Sequence, residues 1–559
     1  MANYFNTLSH AQKLEAMGQC EFMDGSHFTD GVNALKGKKI VKRGVVELVT
    51  PGVALTDQLL DNKGNNFLAA LSFSKKMCGI AFLDISTGEF YVAEGDIKYI
   101  SKLVNDYAPS EILYSRAHDS LFQENFKSKS YTFRLDEWVF QKDFALEKLN
   151  QQFGTLSLKG FGISKMNESI ISAGAILHYL TTAEHHNTSH VSRIQRIDRG
   201  NHLWMDDFTI SNLELIHSSN YNGHTLVEVL DETSTAMGGR LLKKWLLFPL
   251  ISSKKINNRL DIVEYLTKNS AIYDLIKKQF SEIGDLERMC ARLAVLKTSP
   301  RELNQLKKSL LLINPLKERL QSIKHHQLNQ WAKELQDNTE FIDKIDSIIF
   351  EDAPVVIGKG QVVKEGFHKE LDELRLLLSD AKSVLLEIQN REIENTGITS
   401  LKIAFNNVFG YYIEVRNTHK DKVPTSWIRK QTLTAAERYV TEELKIYEEK
   451  ILGAEEKILK LEQQIFTNLV HELIHEIDTI IHNARCIAYL DVIHGLSQVS
   501  IKNNYVKPIV NEGKVLNIKE GRHPVIESKL PASNPYIPND ISLCNDSNQI
   551  LMITGPKDR

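Results

Sequence analysis

Five cysteines in 559 residues (Cys20, Cys78, Cys290, Cys486 and Cys544) are few, odd in number and far apart. No C-x-x-C pair occurs, which argues against a disulfide or zinc framework and for reduced thiols in the cytoplasm. No apolar run reaches the roughly 18 residues of a membrane span, and no signal-peptide pattern is present, so a spanning or secreted protein is not expected. Neither sign of charge prevails, with 68 basic and 71 acidic residues and a net charge of −3. A nucleic-acid partner is therefore not announced globally and would have to be met by local basic patches. The absence of a repeat of about 20 to 50 residues sets aside a solenoid. What remains is an ordinary composition, 42% hydrophobic and 25% charged. At roughly 150 residues per domain, that is enough for about four domains with their own cores.

Residues 1–38 show no clear periodicity and read as a weakly structured leader. The basic run from Lys36 to Arg43 fits either a solvated turn ahead of a strand or a phosphate-binding patch. From Asn65 the texture changes to short strands: "FLAALSF", then "CGIAFLDISTGEFYVAEG", whose two apolar halves meet around Ser86-Thr87-Gly88 as in a hairpin. A helical stretch from Ile97 to Tyr107, Pro109 and the strand-like "EILYS" complete the pattern of a small α/β domain. Asp84 stands where a ribonuclease-H-like nuclease would keep a metal carboxylate, but two-metal chemistry needs several convergent carboxylates. No partner has convincing spacing, so Asp84 reads as structural.

Beyond about residue 165 the chain is mostly helical. Phe367, Leu371, Leu374, Leu378, Ala381, Leu385 and Ile388 alternate steps of four and three, and Leu444, Tyr447, Ile451, Ala454, Ile458, Leu461 and Ile465 do the same. Both are coiled-coil seams. A second helix from about 435 to 495 would be on the order of 90 Å long. The two seams predict a long antiparallel arm with a small knob where the chain reverses. Between Ser400 and Leu433 the knob has six basic residues (Lys402, Arg416, Lys420, Lys422, Arg429, Lys430) against Glu414 and Asp421, a local charge of +4. A basic knob on a rigid arm suits gripping a duplex by its phosphates, which carries no sequence information.

Two histidine clusters invite a metal and are declined. "HELIH" (His471 to His475) matches the zinc-protease pattern H-E-x-x-H. It falls within the arm helix, where no cleft is expected and no third ligand follows. "HHNTSH" (His185 to His190) reads as an exposed loop.

Five segments in order, "KIVKRGVVELVTPGVALTDQLLDNKGNNFLAA", "DETSTAMGGRLLKKWLLFPL", "FNNVFGYYIEV" with "IRKQTLTAAERYVTEELKIYEEKIL", "EGRHPVIE" and "QILMITGP", resemble the MutS family of DNA mismatch-repair ATPases. The resemblance covers about residues 39–556. It implies a multidomain α+β protein: a small α/β, ribonuclease-H-like connector without nuclease activity, a large helical core with long antiparallel lever helices, a small β-rich clamp tip, and the truncated start of a P-loop ATPase domain. The expected boundaries are 1–60 for the remnant and tail of a mismatch-recognition domain, 61–180 for the connector and 181–392 for core and ascending lever. The clamp follows at 393–438, the returning lever and core at 439–505, and the start of the ATPase domain at 506–559.

On the charge of the knob, the expected contacts to double-stranded DNA are Arg416, Lys420, Lys422, Arg429, Lys430 and Arg438. Tyr536, Ile537 and Asn539 match the segment where the family stacks an aromatic on adenine, and Gly555-Pro556 begin its Walker A loop. The intact family uses ATP and Mg²⁺; with the loop lysine and hydroxyl absent, neither is expected to be held by this chain, and ATP hydrolysis is not expected. The implied partners are duplex DNA, a second copy in a homodimer and a MutL-type repair protein, with no membrane and a cytoplasmic, nucleoid-associated place. The family's Phe-x-Glu wedge, of the kind that kinks a weakened base step, is not found in "CEFMDG", so mismatch preference is not expected of this chain. Two alternatives stay open: a recombination-type homologue that lacks a mismatch domain and clamps branched DNA, and a coiled-coil scaffold with no nucleic-acid role.

Overall fold

Runs rich in apolar residues become strands covered on both faces. In the computed structural model, which describes residues 48–553 except 76, 127–129, 201, 219, 221, 407–409 and 532, the first such runs form a six-stranded sheet. The leader at 1–38, the Lys36–Arg43 run and Gly555-Pro556 lie outside the described residues. The strands are β1 (Leu68–Phe73), β2 (Cys78–Asp84), β3 (Glu89–Gly95), β4 (Glu111–Ser115), β5 (Tyr131–Leu135) and the two-residue β6 (Gln195–Arg196). Their spatial order is β5-β4-β1-β2-β3-β6. β1, β2 and β3 are antiparallel neighbours, while β4 runs parallel to β1 and β5 parallel to β4.

Alternation along the strands gives the sheet two cores. Leu68, Ala70, Leu83, Phe90 and Val92 cluster with residues such as Leu149 of helix α2 (Lys142–Phe153) and Ile176 of α3 (Asn167–Thr182). Ala69, Leu71, Ile80, Phe82 and Tyr91 cluster with Ile100, Leu103 and Val104 of α1 (Ile97–Tyr107), which has the bounds its periodicity predicts. The β2–β3 turn needs Gly88, whose φ of +74° is disfavoured for other residues. Asp84 supports that turn: its carboxylate accepts from Ser86 N–H (2.9 Å), Ser86 Oγ (2.7 Å), Asn66 N–H (3.1 Å) and Asn65 Nδ2 (2.9 Å).

The exposed-loop reading of "HHNTSH" is corrected, because His185 and His190 are both buried. His190 Nε2 donates to the Ile85 carbonyl at 2.7 Å, and its Nδ1 has no partner. Polarity in the run misled, since a ring that caps a buried carbonyl is polar by type yet packs as core. Burial pushes the His190 pKa down to about 4. A histidine with a depressed folded-state pKa adds stability that is complete above about 6.5 and is lost as pH falls toward 4, here on the order of 3 kcal/mol. His190→Gln keeps a donor near Ile85 without titrating, so the fall in Tm between pH 6.5 and 4 should become shallower than in the parent. An unchanged slope would refute this assignment.

The chain divides into two compact units. The sheet belongs to the first, together with described parts of 226–298, 308–338 and 474–553. Its helices include α4 (Ala236–Leu247), α5 (Ser253–Lys268), α6 (Leu286–Ala294) and α7 (His326–Glu334). The "DETSTAMGGR" stretch acts as a polar joint there. Thr235 caps α4 by accepting from Gly238 N–H at 3.0 Å, and its hydroxyl donates to Asp491 at 2.6 Å. Asp491 also accepts the backbone N–H groups of Ser234 (3.0 Å) and Thr235 (2.8 Å). A Cβ on Gly238 would collide with that carboxylate, which is why glycine stands there.

Arg240 is buried and grips Asp285 with both terminal nitrogens at 2.8 Å, Glu287 at 2.7 Å and the Asn62 carbonyl at 3.0 Å. Burial works against its charge, but Glu287 and Asp285 outweigh it and hold the guanidinium above its ordinary range. Arg288 adds bonds to the carbonyls of Asp61 (2.7 Å) and Gly64 (3.0 Å), and Lys63 reaches Asp231 at 2.9 Å. Together these bonds fasten the 61–64 segment, which leads into the sheet, to the helices.

The second unit comprises Ser299–Lys307 and Thr339–Leu473. Its main helices are α8 (Lys369–Thr396) and α9 (Glu442–Leu473). Cross-pairs Arg391–Glu443, Lys382–Glu455 (3.5 Å) and Arg375–Glu462 (2.7 Å) descend on one helix as they ascend on the other, so the helices are antiparallel.

Three seam expectations are corrected. Phe367 precedes α8 and is 43% exposed, so the first seam starts at Leu371. Beyond Ala454 the stripe on α9 shifts to Phe466, Leu469, Val470 and Leu473. The single helix from 435 to 495 is interrupted: α9 ends at Leu473, a 3₁₀ turn spans Ile474–Glu476, and α10 (Ile477–Lys502) follows. α9 buries one stripe whereas α10 is buried on most of its sides, two demands that one continuous helix phase did not meet. His475 falls in the turn, and "HELIH" is not one helical face. Within the described residues no helix is long and apolar enough to cross a membrane.

Candidate nucleic-acid interface

Between α8 and α9 the chain builds a four-stranded antiparallel sheet in the order β7-β8-β10-β9, with β7 Lys402–Asn406, β8 Gly410–Arg416, β9 Ile428–Thr432 and β10 Ala436–Val440. One face packs on the helices: Ile413, Val415 and Tyr439 share a cluster with Leu385, Ile388, Leu444 and Ile451. Trp427, which in sequence lies among charges, is buried in this cluster. The sheet is also clipped to α9 at one point. Glu448 accepts the Tyr411 N–H at 3.2 Å, and Gly410, with φ of +75°, leaves room for that carboxylate. A side chain at 410 would meet both strain and a clash.

Placement separates the six candidate cations. Arg416, Lys420, Lys422 and Lys430 are exposed and make no ion pair among the described residues. Arg416 ends β8, and Lys420 and Lys422 belong to a 3₁₀ turn over Asn417–Lys422. Arg429 is also exposed but lies 3.4 Å from Glu437, whose carboxylate is kept low by the Tyr439 hydroxyl and by Arg429. Arg438 is half-buried and occupied: it meets Glu414 at 3.2 Å and Gln431 at 2.8 Å, and lies 4.2 Å from the ring centre of Tyr412. Sequence reasoning overlooked the pairing role of Glu437 and the platform role of Tyr412. The cross-strand register Arg438↔Glu414 is a tertiary fact, with only the alternation in "YYIEVR" as a hint.

The candidate nucleotide stretch lies in the first unit. β11 (Leu516–Gly521) and β12 (Asn539–Leu543) pair antiparallel, with Gly521 opposite Asn539. Tyr536 is half-buried, Ile537 is 79% exposed, and Asn539 turns its side-chain amide onto the Ile537 carbonyl at 3.2 Å. These residues form an open surface with one partly covered ring.

The family model for MutS domain III matches residues 208–497, more than half of the chain, and that for MutS domain II matches 66–192. Curated relatives named DNA mismatch repair protein MutS include those of Bacteroides thetaiotaomicron (50% identical), Cytophaga hutchinsonii (49%) and Flavobacterium johnsoniae (50%), each aligned over 93% of this chain. The chain spans about 60% of the length of these relatives.

Proposed function

Because the chain belongs to the MutS family, we propose that it supplies the duplex-gripping part of a DNA mismatch-repair protein. In this reading the six-stranded sheet is the connector, with an order that suits a ribonuclease-H-like layer, α8 and α9 are the levers, and the four-stranded sheet is the clamp. Proteins of the family bind DNA, act as dimers with MutL, and use ATP and Mg²⁺. For this chain the homodimer, the MutL-type partner, nucleotide contacts at Tyr536, Ile537 and Asn539, and a place near the nucleoid are part of the proposal. The names of the relatives favour mismatch repair over recombination-type clamping.

The observation that carries the proposal is the set of four exposed cations without ion pairs at the tip, held on two packed helices. Phosphates bound by n such groups give a salt slope of about −0.9n in log K against log salt. Duplex retention measured from 50 to 400 mM salt should therefore fall steeply, with a slope of at least about −3. A flat salt profile, or no binding at the lowest salt, would contradict the reading.

A further inference from the structure

In the first unit, a cavity of about 750 Å³ opens beside β3 and helices α4, α5, α7 and α10. That is a size at which small molecules are commonly held. One part of its lining is aromatic: Trp331 stacks on Tyr489 with ring centres 4.0 Å apart, and Trp245 meets Tyr489 edge-on at 5.3 Å. All three rings are only half-buried.

Another part is cationic. Arg193, Arg259 and Arg485 line the same space, and none makes an ion pair among the described residues. The carboxylates that line it have other partners in the same wall, Glu89 with Lys244 at 3.5 Å, Glu287 with Arg240 at 2.7 Å and Glu334 with His482 at 3.8 Å. The guanidinium carbon of Arg259 lies over the Trp245 ring, 3.3 Å from its centre. With those carboxylates already paired to other cations, Arg193 and Arg485 hold no carboxylate by an ion pair among the described residues, and an anion is what such planar forks bind best. A ring stacked against tryptophan supplies the other half of an affinity.

We propose that this cavity is a binding site for a nucleotide-sized organic phosphate, with a flat heteroaromatic ring against the Trp331–Tyr489 wall and the phosphate held by Arg193 and Arg485. The site shares no residue with the Tyr536 stretch or the clamp, and it is independent of the DNA-binding reading. AMP is a suitable probe because it lacks the β- and γ-phosphates that a Walker loop grips.

Tryptophan fluorescence of the full chain, titrated at constant ionic strength, should show saturable quenching by AMP. Adenosine and inorganic phosphate should each bind at least tenfold more weakly, because each keeps one half of the recognition. Arg485→Gln should raise the Kd for AMP at least tenfold, and so should Arg193→Gln, an exposed position where folding is not at stake. Trp331→Phe should remove most of the quench, which places the ring. AMP that does not bind, adenosine that binds as well as AMP, an unchanged Kd in Arg193→Gln, or a full quench in Trp331→Phe would each overturn the proposal.

Discussion

Replacing Arg416, Lys420, Lys422 and Lys430 together with glutamate should weaken duplex binding roughly 10³-fold near 0.1 M salt and flatten the salt slope by about 3.6 units. The size follows from counterion release: each lost phosphate contact removes about 0.9 unit of slope. The four side chains are exposed and unpaired among the described residues, so the fold should tolerate their reversal and the melting temperature should hold. Phosphate contacts position a protein without reading bases. Affinity for a G·T duplex and for its matched twin should therefore fall by the same factor. Arg438→Gln is the informative contrast, because its guanidinium is already held by Glu414 and Gln431. It should cost the tip about 1 kcal/mol of stability and leave the slope nearly unchanged. A quadruple variant with the parent's isotherm would remove the tip from the DNA interface.

Arg240→Met should destabilise the first unit by about 3–5 kcal/mol, the cost of leaving buried carboxylates uncompensated. Both carboxylates are largely buried, with side-chain exposures of 18% for Asp285 and 12% for Glu287. Arg240→Lys should recover little, since one ammonium cannot reproduce a fork that holds Asp285 with two nitrogens and Glu287 besides. Adding Glu287→Gln to Arg240→Met should restore part of the loss by removing a stranded charge. Urea unfolding followed by the fluorescence of Trp245, which lies on α4 with Arg240, measures the shift. A loss below about 1 kcal/mol would show that Arg240 is not the joint described above.

Much of the architecture is readable along the chain because it depends on local period. The strands of the first sheet, the hairpin at Ser86-Thr87-Gly88 and helix α1 follow from runs of two-fold or 3.6-fold periodicity and from turn residues at their ends. The first seam from Leu371, the second as far as Ala454 and the basic excess between them were legible for the same reason, since a stripe and a local charge are sums over neighbours in sequence. Membership of the MutS family was also legible, because five short motifs in a fixed order are a sequence property.

What sequence could not decide was which polar groups are already taken. Arg416 and Arg438 are equally basic on paper, yet strand register leaves one exposed and ties the other to Glu414. His190 looks like a solvent-facing loop residue until the Ile85 carbonyl appears beside it. The α9–α10 interruption has no proline or glycine to announce it, because it answers a change in how many sides of the helix are covered. The cavity of Arg193, Arg485 and Trp331 gathers residues far apart in the chain. Local patterning is set by short-range backbone and hydrophobic preferences, which the chain carries in itself. Pairing, burial and enclosure depend on residues brought together by long-range packing, and only the folded arrangement decides them.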